Sequence, residues 1–255
     1  MPRTYRKESG RVPRGYFAWE ATGLRWLADA RGAAVVEVLD VGEHHLDLPF
    51  LVSAAPSREH AEELGRGLAT VHRAGADGYG AAPAGWRGDG WLGPLSEPLP
   101  MVLGAWATWG EFYAEARIRP LVRMGRDRGE LDATDAVVLD ALAAAVASGR
   151  HDPGEPAARL HGDLWSGNLM WTAEGAVLID PAAHGGHREA DLAMLHLFGA
   201  PHLDRVVAAY DEEAPLADGW RERLRLHQLH PLLVHAVLFG GSYGAQALRV
   251  ARAYT

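Results

Sequence analysis

The chain has 255 residues, enough for one full core or two modest ones. It carries 25 Lys+Arg against 33 Asp+Glu, a net charge of −8 without a basic run, which argues against nucleic acid or an anionic membrane surface as its main partner. There is no cysteine, which excludes a disulfide framework and thiol catalysis and suits a cytoplasmic protein.

In chain order, residues 4–7 suit a short strand, and 11–15, with Pro13 and Gly15, suit a loop. Residues 17–30 place Phe17, Ala21, Leu24 and Leu27 at helical spacing, with Glu20 on a neighbouring face. Two β-rich runs, 35–41 and 48–53, are expected to lie antiparallel across a polar turn. Ser57 is a good N-cap for a helix over 57–74, whose stripe is Leu64, Leu68 and Val71. Residues 75–100 are rich in Gly, Pro and Trp and predict a long irregular loop. Helices are expected over 101–118, 134–148, 190–198, 203–211 and 220–229, and a last one over 231–254, bent at Gly240-Gly241. In the first of these, Trp106, Trp109, Phe112 and Tyr113 recur at helical spacing, mainly as core. Residues 169–171 and 177–179 flank Ala173-Glu174-Gly175 as a small hairpin. The predicted class is therefore α+β, with a small sheet-bearing N-terminal part (1–55) and a larger helical part (56–255). No apolar stretch is long and uninterrupted enough to span a bilayer, and the N-terminus lacks the apolar core of a signal peptide.

Two residues stand out. Lys7 is the only lysine and Asn168 the only asparagine, in a chain that otherwise writes its cations as arginine. Asn168 closes the octet His161-Gly-Asp-Leu-Trp-Ser-Gly-Asn168, five positions after Asp163. Phosphoryl transfer needs a carboxylate to take the hydroxyl proton and oxygen donors for Mg²⁺. It also needs a cation on the nucleotide phosphates and a carboxylate to hold that cation. Asp163, Asn168, Asp180 after the hairpin, Lys7 and Glu20 supply these parts in the expected order. Each alone is weak: an Asp before Pro is commonly a turn residue, and a lone N-terminal lysine a solvated charge. The ordered set is much more specific.

The octet, Ile179-Asp-Pro-Ala182 and His187-Arg-Glu-Ala-Asp-Leu-Ala-Met194 resemble the fructosamine kinase (ketosamine 3-kinase) family, a branch of the aminoglycoside-phosphotransferase and protein-kinase-like fold. Phe17–Leu24, Leu68–Arg73, Trp109–Arg117 and residues 238–243 add support, so the likeness runs from about residue 4 to the end. It implies a two-lobed protein-kinase-like fold and ATP-dependent phosphorylation of a sugar hydroxyl on a ketoamine. On this likeness Asp163 is the base, Asn168 and Asp180 are the Mg²⁺ ligands, and Lys7 with Glu20 steadies the phosphates of ATP. Phe50, Leu51 and Val52 are expected on the nucleotide side. Asp191 is expected to brace the catalytic loop, or else to cap the helix near Ala190. Trp165, His187, Arg188 and Arg117 are expected to line the substrate side. One departure is that only six residues precede Lys7, with no glycine among them, where the family has two strands and a glycine-bearing loop. On that ground the chain as given is expected to bind ATP weakly.

Gly240-Gly-Ser-Tyr-Gly244 matches a hydrolase elbow, but no Asp, Glu or His follows it. Thirteen histidines without His-Glu-x-x-His or cysteine argue against zinc. An aminoglycoside or other small-molecule kinase, or a catalytically silent binding module, remains as the alternative to a ketoamine kinase.

Overall fold

The computed structural model describes residues 3–255; Met1 and Pro2, the start of the expected N-terminal part, lie outside them. Strand β1 (Thr4–Glu8) pairs antiparallel with β4 (His45–Pro49), and β4 pairs with β3 (Asp40–Val41), giving the order β1-β4-β3. Successive strand residues face opposite sides. Arg6 therefore meets Asp47 directly across the strands, with Nε to Oδ1 at 2.7 Å, while Lys7 turns to the other face. Under that face lies α1 (Tyr16–Asp29), entered from Gly15 in the left-handed conformation. Its Phe17, Ala21 and Leu24 pack on Val36, Leu46 and Leu48.

The β-rich run over 35–41 does not form one strand. Ala34–Val35 (β2) leaves to pair in parallel with β9 (Gly175–Leu178), the second strand of the hairpin begun by β8 (Leu169–Thr172). This β2–β9 pairing crosses the division expected between residues 55 and 56. The second run starts earlier than expected and ends at Pro49, after which the chain is extended until Ser57. The Ser57 hydroxyl accepts from His60 N at 3.1 Å and caps α2 (Arg58–Arg73). Leu64, Leu68 and Val71 of α2 pack with Trp26, Leu27, Leu178 and Tyr210 in a second cluster.

The expected loop 75–100 contains a hairpin, β5 (Gly90–Leu92) with β6 (Leu99–Met101). Trp19 Nε1 donates to Trp91 O at 2.9 Å, and Trp19, Trp86 and Trp91 meet edge to face, so the loop's tryptophans anchor it. The helix expected from 101 begins only at Trp109, because Thr108 caps it by accepting from Glu111 N at 3.2 Å. It then runs further than expected. α3 (Trp109–Phe112) passes through a π-helical turn (Tyr113–Ile118) into α4 (Arg119–Asp127), and Pro120, which has no amide to donate, lies just after that turn.

α5 (Ala133–Ala147), α6 (Glu189–Phe198), α7 (Leu203–Glu213), α8 (Trp220–Phe239) and α9 (Ser242–Tyr254) complete the helices. α8 continues through Pro231, where a break was expected. Proline cannot donate to the carbonyl four residues back and crowds it. Tyr113 bridges the break: its hydroxyl lies 3.3 Å from His227 O, the carbonyl that Pro231 leaves without an amide, donates to Leu226 O at 2.7 Å and accepts from His230 N at 3.1 Å. The expected bend at Gly240-Gly241 is a full helix break, with φ 61° and 66° and ψ near −136° and −135°, a conformation suited to glycine. Two three-residue strands, β7 (Ala158–Leu160) and β10 (His184–Gly186), pair antiparallel and bracket the His161–Asn168 octet and the hairpin. They are too short to show a period in sequence.

Candidate active site

β7 delivers the octet into a turn held by hydrogen bonds to the amides of His161, Gly162 and Asp163 and to the Asp163 carbonyl. The Asp191 carboxylate accepts from His161 N at 2.8 Å and from Gly162 N at 2.9 Å. His72 Nε2 lies 3.1 Å from the same carboxylate, and its Nδ1 is 2.8 Å from the Tyr210 hydroxyl. Burial alone would raise the Asp191 carboxyl, but these donors outweigh it and hold it below its ordinary value. Asp191 lies in the first turn of α6, whose N-cap is Arg188, so it ties down the octet rather than capping the helix. Gly162 has φ +80°, and a Cβ there would sit 2.2 Å from Ala182 O, so no side chain is tolerated. His161 Nδ1 accepts from Asp163 N at 3.2 Å, so its other nitrogen carries the hydrogen shared with Ile179 O at 2.9 Å. Burial lowers the pKa of this ring, consistent with its neutral form.

Asn168 Nδ2 donates to Asp163 O at 2.8 Å and to Asp163 Oδ2 at 2.9 Å, which leaves the amide oxygen without these partners. Asp180 follows β9 with φ 52°, a conformation that non-glycine residues adopt rarely and at a cost. Its Oδ1 stands 3.2 Å from Lys7 Nζ, and Lys7 Nζ stands 2.8 Å from Glu20 Oε2. The Lys7–Glu20 contact anticipated from sequence thus forms, and Asp180 joins it.

The electrostatics follow from this packing. Burial would lower the Lys7 pKa, but Glu20 and Asp180 overcome that and raise it, so the ammonium stays charged. Burial pushes Glu20 upward against the pull of Lys7, and its Oε1 is buried without a hydrogen-bond partner. Burial pushes the Asp163 carboxyl up to about 6; Asp180 and Asp191 add to the rise and the Asn168 hydrogen bond opposes it. A carboxylate poised there can accept a proton near neutral pH.

Lys7, Glu20, Asp163, Trp165, Asn168 and Asp180 all line one cleft of about 350 Å³. Phe50, Leu51 and Val52 do not line it; they lie in the extended segment after β4, with Phe50 and Val52 exposed and Leu51 packed under the sheet. Three of the expected substrate-side residues also lie elsewhere. Arg117, on the π-helical turn, is 2% exposed. It donates to Val102 O at 2.9 Å and Ala116 O at 3.0 Å and lies over the Phe112 ring. Burial lowers its pKa to about 9, and it borders a separate cavity of about 30 Å³ behind the octet. His187 is sandwiched against Trp109 and His227 with ring centroids at 5.5 and 4.8 Å, and burial drives its pKa well down. Arg188 pairs with Glu155, Nε to Oε2 at 2.9 Å, and donates to Ala214 O and Pro215 O, clamping two loops. His187 and Arg188 directly follow β10 and enter α6, where packing and ion pairing draw them away from the cleft, whereas Arg117 is drawn into the core by its own helical turn.

Residues missed in the sequence also line the cleft: Tyr16 and Trp19 of α1 and residues 91–95 on one part, and α6 and α8 on another. Met194, Phe198, Val234, His235, Leu238 and Phe239 form the wall facing Trp165. Their helical spacing was legible, but an apolar face reads as core unless something shows what it faces. His187, Glu189 and His227 also cluster closely, yet Glu189 already carries a two-point pair with Arg223, at 3.0 and 2.5 Å, which offsets its charge and leaves little call for a cation.

Together the small sheet, the octet, the hairpin and the helical body define a protein-kinase-like fold of α+β class. The structure superposes on an aminoglycoside phosphotransferase bound to gentamicin with a TM-score of 0.61 at 11% identity, over 98% of this chain and 84% of that one, which is a likeness of fold alone. The sequence profile of the fructosamine kinase family matches residues 5–254, and the chain belongs to that family. It is therefore a kinase, a phosphotransferase with an alcohol group as acceptor. It is 31% identical over 243 residues to mouse ketosamine-3-kinase, covering 89% of this chain and 74% of the relative. It is 37% identical over 233 residues to a Thermus thermophilus protein named as a probable ketoamine kinase, covering 91% and 79%. A crystal structure of a fructosamine-3-kinase candidate from Thermobifida fusca superposes with a TM-score of 0.90 at 48% identity, over 99% of this chain and 85% of that one.

Proposed function

We propose that the chain transfers the γ-phosphoryl group of ATP to a hydroxyl on the sugar portion of a ketoamine, the adduct left when an amine is glycated. The observation that carries the reading is Asp163, pushed up to about 6 in a cleft shared with Lys7, Glu20, Asn168 and Asp180. The acceptor hydroxyl is held against the Asp163 carboxylate, which takes its proton as the oxygen attacks the γ-phosphorus. The bond to the β-phosphate oxygen breaks and ADP leaves. Lys7 holds phosphate oxygens, and Glu20 fixes the Lys7 ammonium. Asp191 acts through the backbone of His161 and Gly162, positioning Asp163 without touching substrate.

The donor set suits Mg²⁺. Asn168 offers an amide oxygen and Asp180 a half-exposed carboxylate, both hard ligands on the cleft wall. When bound, the ion supplies neutralisation of charge on the phosphate oxygens. In this reading phosphorylation at the third sugar carbon makes the adduct prone to release its amine, which is deglycation, in the ATP-holding cytoplasm. The test offers the enzyme Mg²⁺-ATP with fructosamines, ribulosamines, free sugars and an aminoglycoside. Ketoamines should be phosphorylated fastest; faster phosphorylation of the aminoglycoside would overturn the reading.

A further inference from the structure

The cleft has two chemically unlike sides. Its charged residues, Lys7, Glu20, Asp163 and Asp180, gather at the octet and hairpin. Beyond Asp163 the α6 and α8 wall carries no Asp, Glu, Lys or Arg. Its aromatic groups form a chain. Trp165 meets Phe198 at 6.2 Å, Phe198 meets His235 at 4.9 Å, and His235 meets Phe239 at 5.5 Å. His235 Nδ1 donates to Pro231 O at 2.7 Å, and burial lowers its pKa, so its ring is neutral. At the mouth, Trp165 is 40% exposed and Phe239 is 60% exposed, so a substituent lying on the wall can reach solvent.

Resting on the ketoamine reading, we propose that this wall is the subsite for the amine-derived half of the substrate. It selects ketoamines whose amine portion is apolar or aromatic next to the nitrogen over those bearing a carboxylate there. The sugar hydroxyl must reach Asp163, so the amine portion lies towards the uncharged wall, two residues along the octet at Trp165 and beyond. An apolar or aromatic group gains burial and ring contacts against Phe198 and Phe239. A carboxylate would lose hydration without meeting a cation on that wall, while Lys7 is already paired with Glu20 and Asp180.

The experiment compares two ketoamines of the same sugar, one made from benzylamine and one from glycine, with Mg²⁺-ATP. The benzylamine adduct should have a kcat/KM higher by at least about tenfold, the scale of discrimination an apolar pocket supplies. Phe239→Ala should shrink that ratio mainly by raising KM for the benzylamine adduct. Because Phe239 is largely exposed, the variant is expected to fold, and its melting temperature is recorded to confirm this. Calorimetric binding of both adducts gives the same comparison without turnover. Equal kcat/KM and equal affinity, or a ratio unmoved by Phe239→Ala, would overturn the inference and leave the ketoamine reading standing. Phosphorylation of an aminoglycoside with neither adduct turned over would remove both.

Discussion

The Asn168 amide donates to the Asp163 carboxylate at 2.9 Å while also holding the Asp163 carbonyl at 2.8 Å. One side chain therefore fixes both the rotamer and the backbone of the proposed base. Asp163→Asn keeps this geometry, since an amide oxygen can still accept from Asn168, but removes the proton acceptor. We expect kcat to fall by about 10²–10⁴-fold, the contribution of a positioned acid or base, with folding retained. Near-normal turnover in a steady-state assay of this variant would exclude Asp163 as the base.

The same carboxyl links activity to pH. The base works deprotonated, so kcat/KM should rise with pH through about 6. Stability runs the other way. A carboxyl raised in the folded state favours folding most below its unfolded value of 3.8, and that contribution is lost as pH rises through about 6. Asp163→Asn should therefore be the more stable protein at pH 8, with the advantage fading towards pH 4. Paired thermal melts across that range check the sign; a variant less stable than wild type at pH 8 would contradict the buried-carboxylate account.

Lys7 sits between two carboxylates, at 2.8 Å from Glu20 and 3.2 Å from Asp180. That spacing suits a compact ammonium and leaves little room for a planar guanidinium. Lys7→Met should lower kcat/KM for ATP by about 10²–10³-fold, the loss typical of one preorganised electrostatic group. Lys7→Arg should recover only a small part of it. Full recovery by arginine would show that charge alone matters at this position and that the geometry does not.

Asp180 is the metal test. Its carboxylate is partly exposed and its backbone adjoins Asn168, whose Nδ2 lies 3.4 Å from Asp180 O, while Lys7 holds only one of its carboxylate oxygens. Asp180→Ala should weaken binding of Mg²⁺-ATP much more than binding of ATP without metal. Calorimetry with and without Mg²⁺ separates the two, and equal losses would count against a ligand role. The variant does not relieve the left-handed strain, because alanine tolerates φ 52° less well than aspartate, so its melting temperature is recorded alongside.

How much of this was legible in sequence depended on the range of the interaction that decides each feature. Ser57, the hairpin around Gly175 and the order of Lys7, Glu20, Asp163, Asn168 and Asp180 are local or motif signals, and each element formed near its expected bounds. Asp191 could be marked as a brace or a cap, but only the fold shows its carboxylate reaching back to His161 N and Gly162 N. The 35–41 run reads as a single strand, yet its start pairs with β9, more than a hundred residues on, and only Asp40–Val41 pairs locally with β4. His187, Arg188 and Arg117 looked like cleft residues because polar groups near a motif invite that placement. Burial against Trp109, Glu155 and Phe112 took them elsewhere. The α8 wall failed for the opposite reason: Val234, Leu238 and Phe239 have the spacing of a core face, and periodicity cannot distinguish a core from a cleft.

The Tyr113 hydroxyl lets α8 pass through Pro231 and so holds His235 and Phe239 on the cleft wall. It donates to Leu226 O at 2.7 Å and accepts from His230 N at 3.1 Å, in a site where burial raises its pKa above the ordinary phenol value. Tyr113→Phe keeps the ring stacked on Trp109 but strands a buried carbonyl and a buried amide beside the proline. Unsatisfied buried groups of this kind cost about 1–3 kcal/mol, so the variant should unfold at lower denaturant with an unchanged slope. Replacing Pro231 by alanine as well restores an amide for His227 O and removes the ring that crowds this turn, so that His230 N can close on Leu226 O. The double variant should then lose less than Tyr113→Phe alone. If Tyr113→Phe costs the same with and without the proline, the hydroxyl is not repairing the helix. The α8 wall would then owe its position to packing alone.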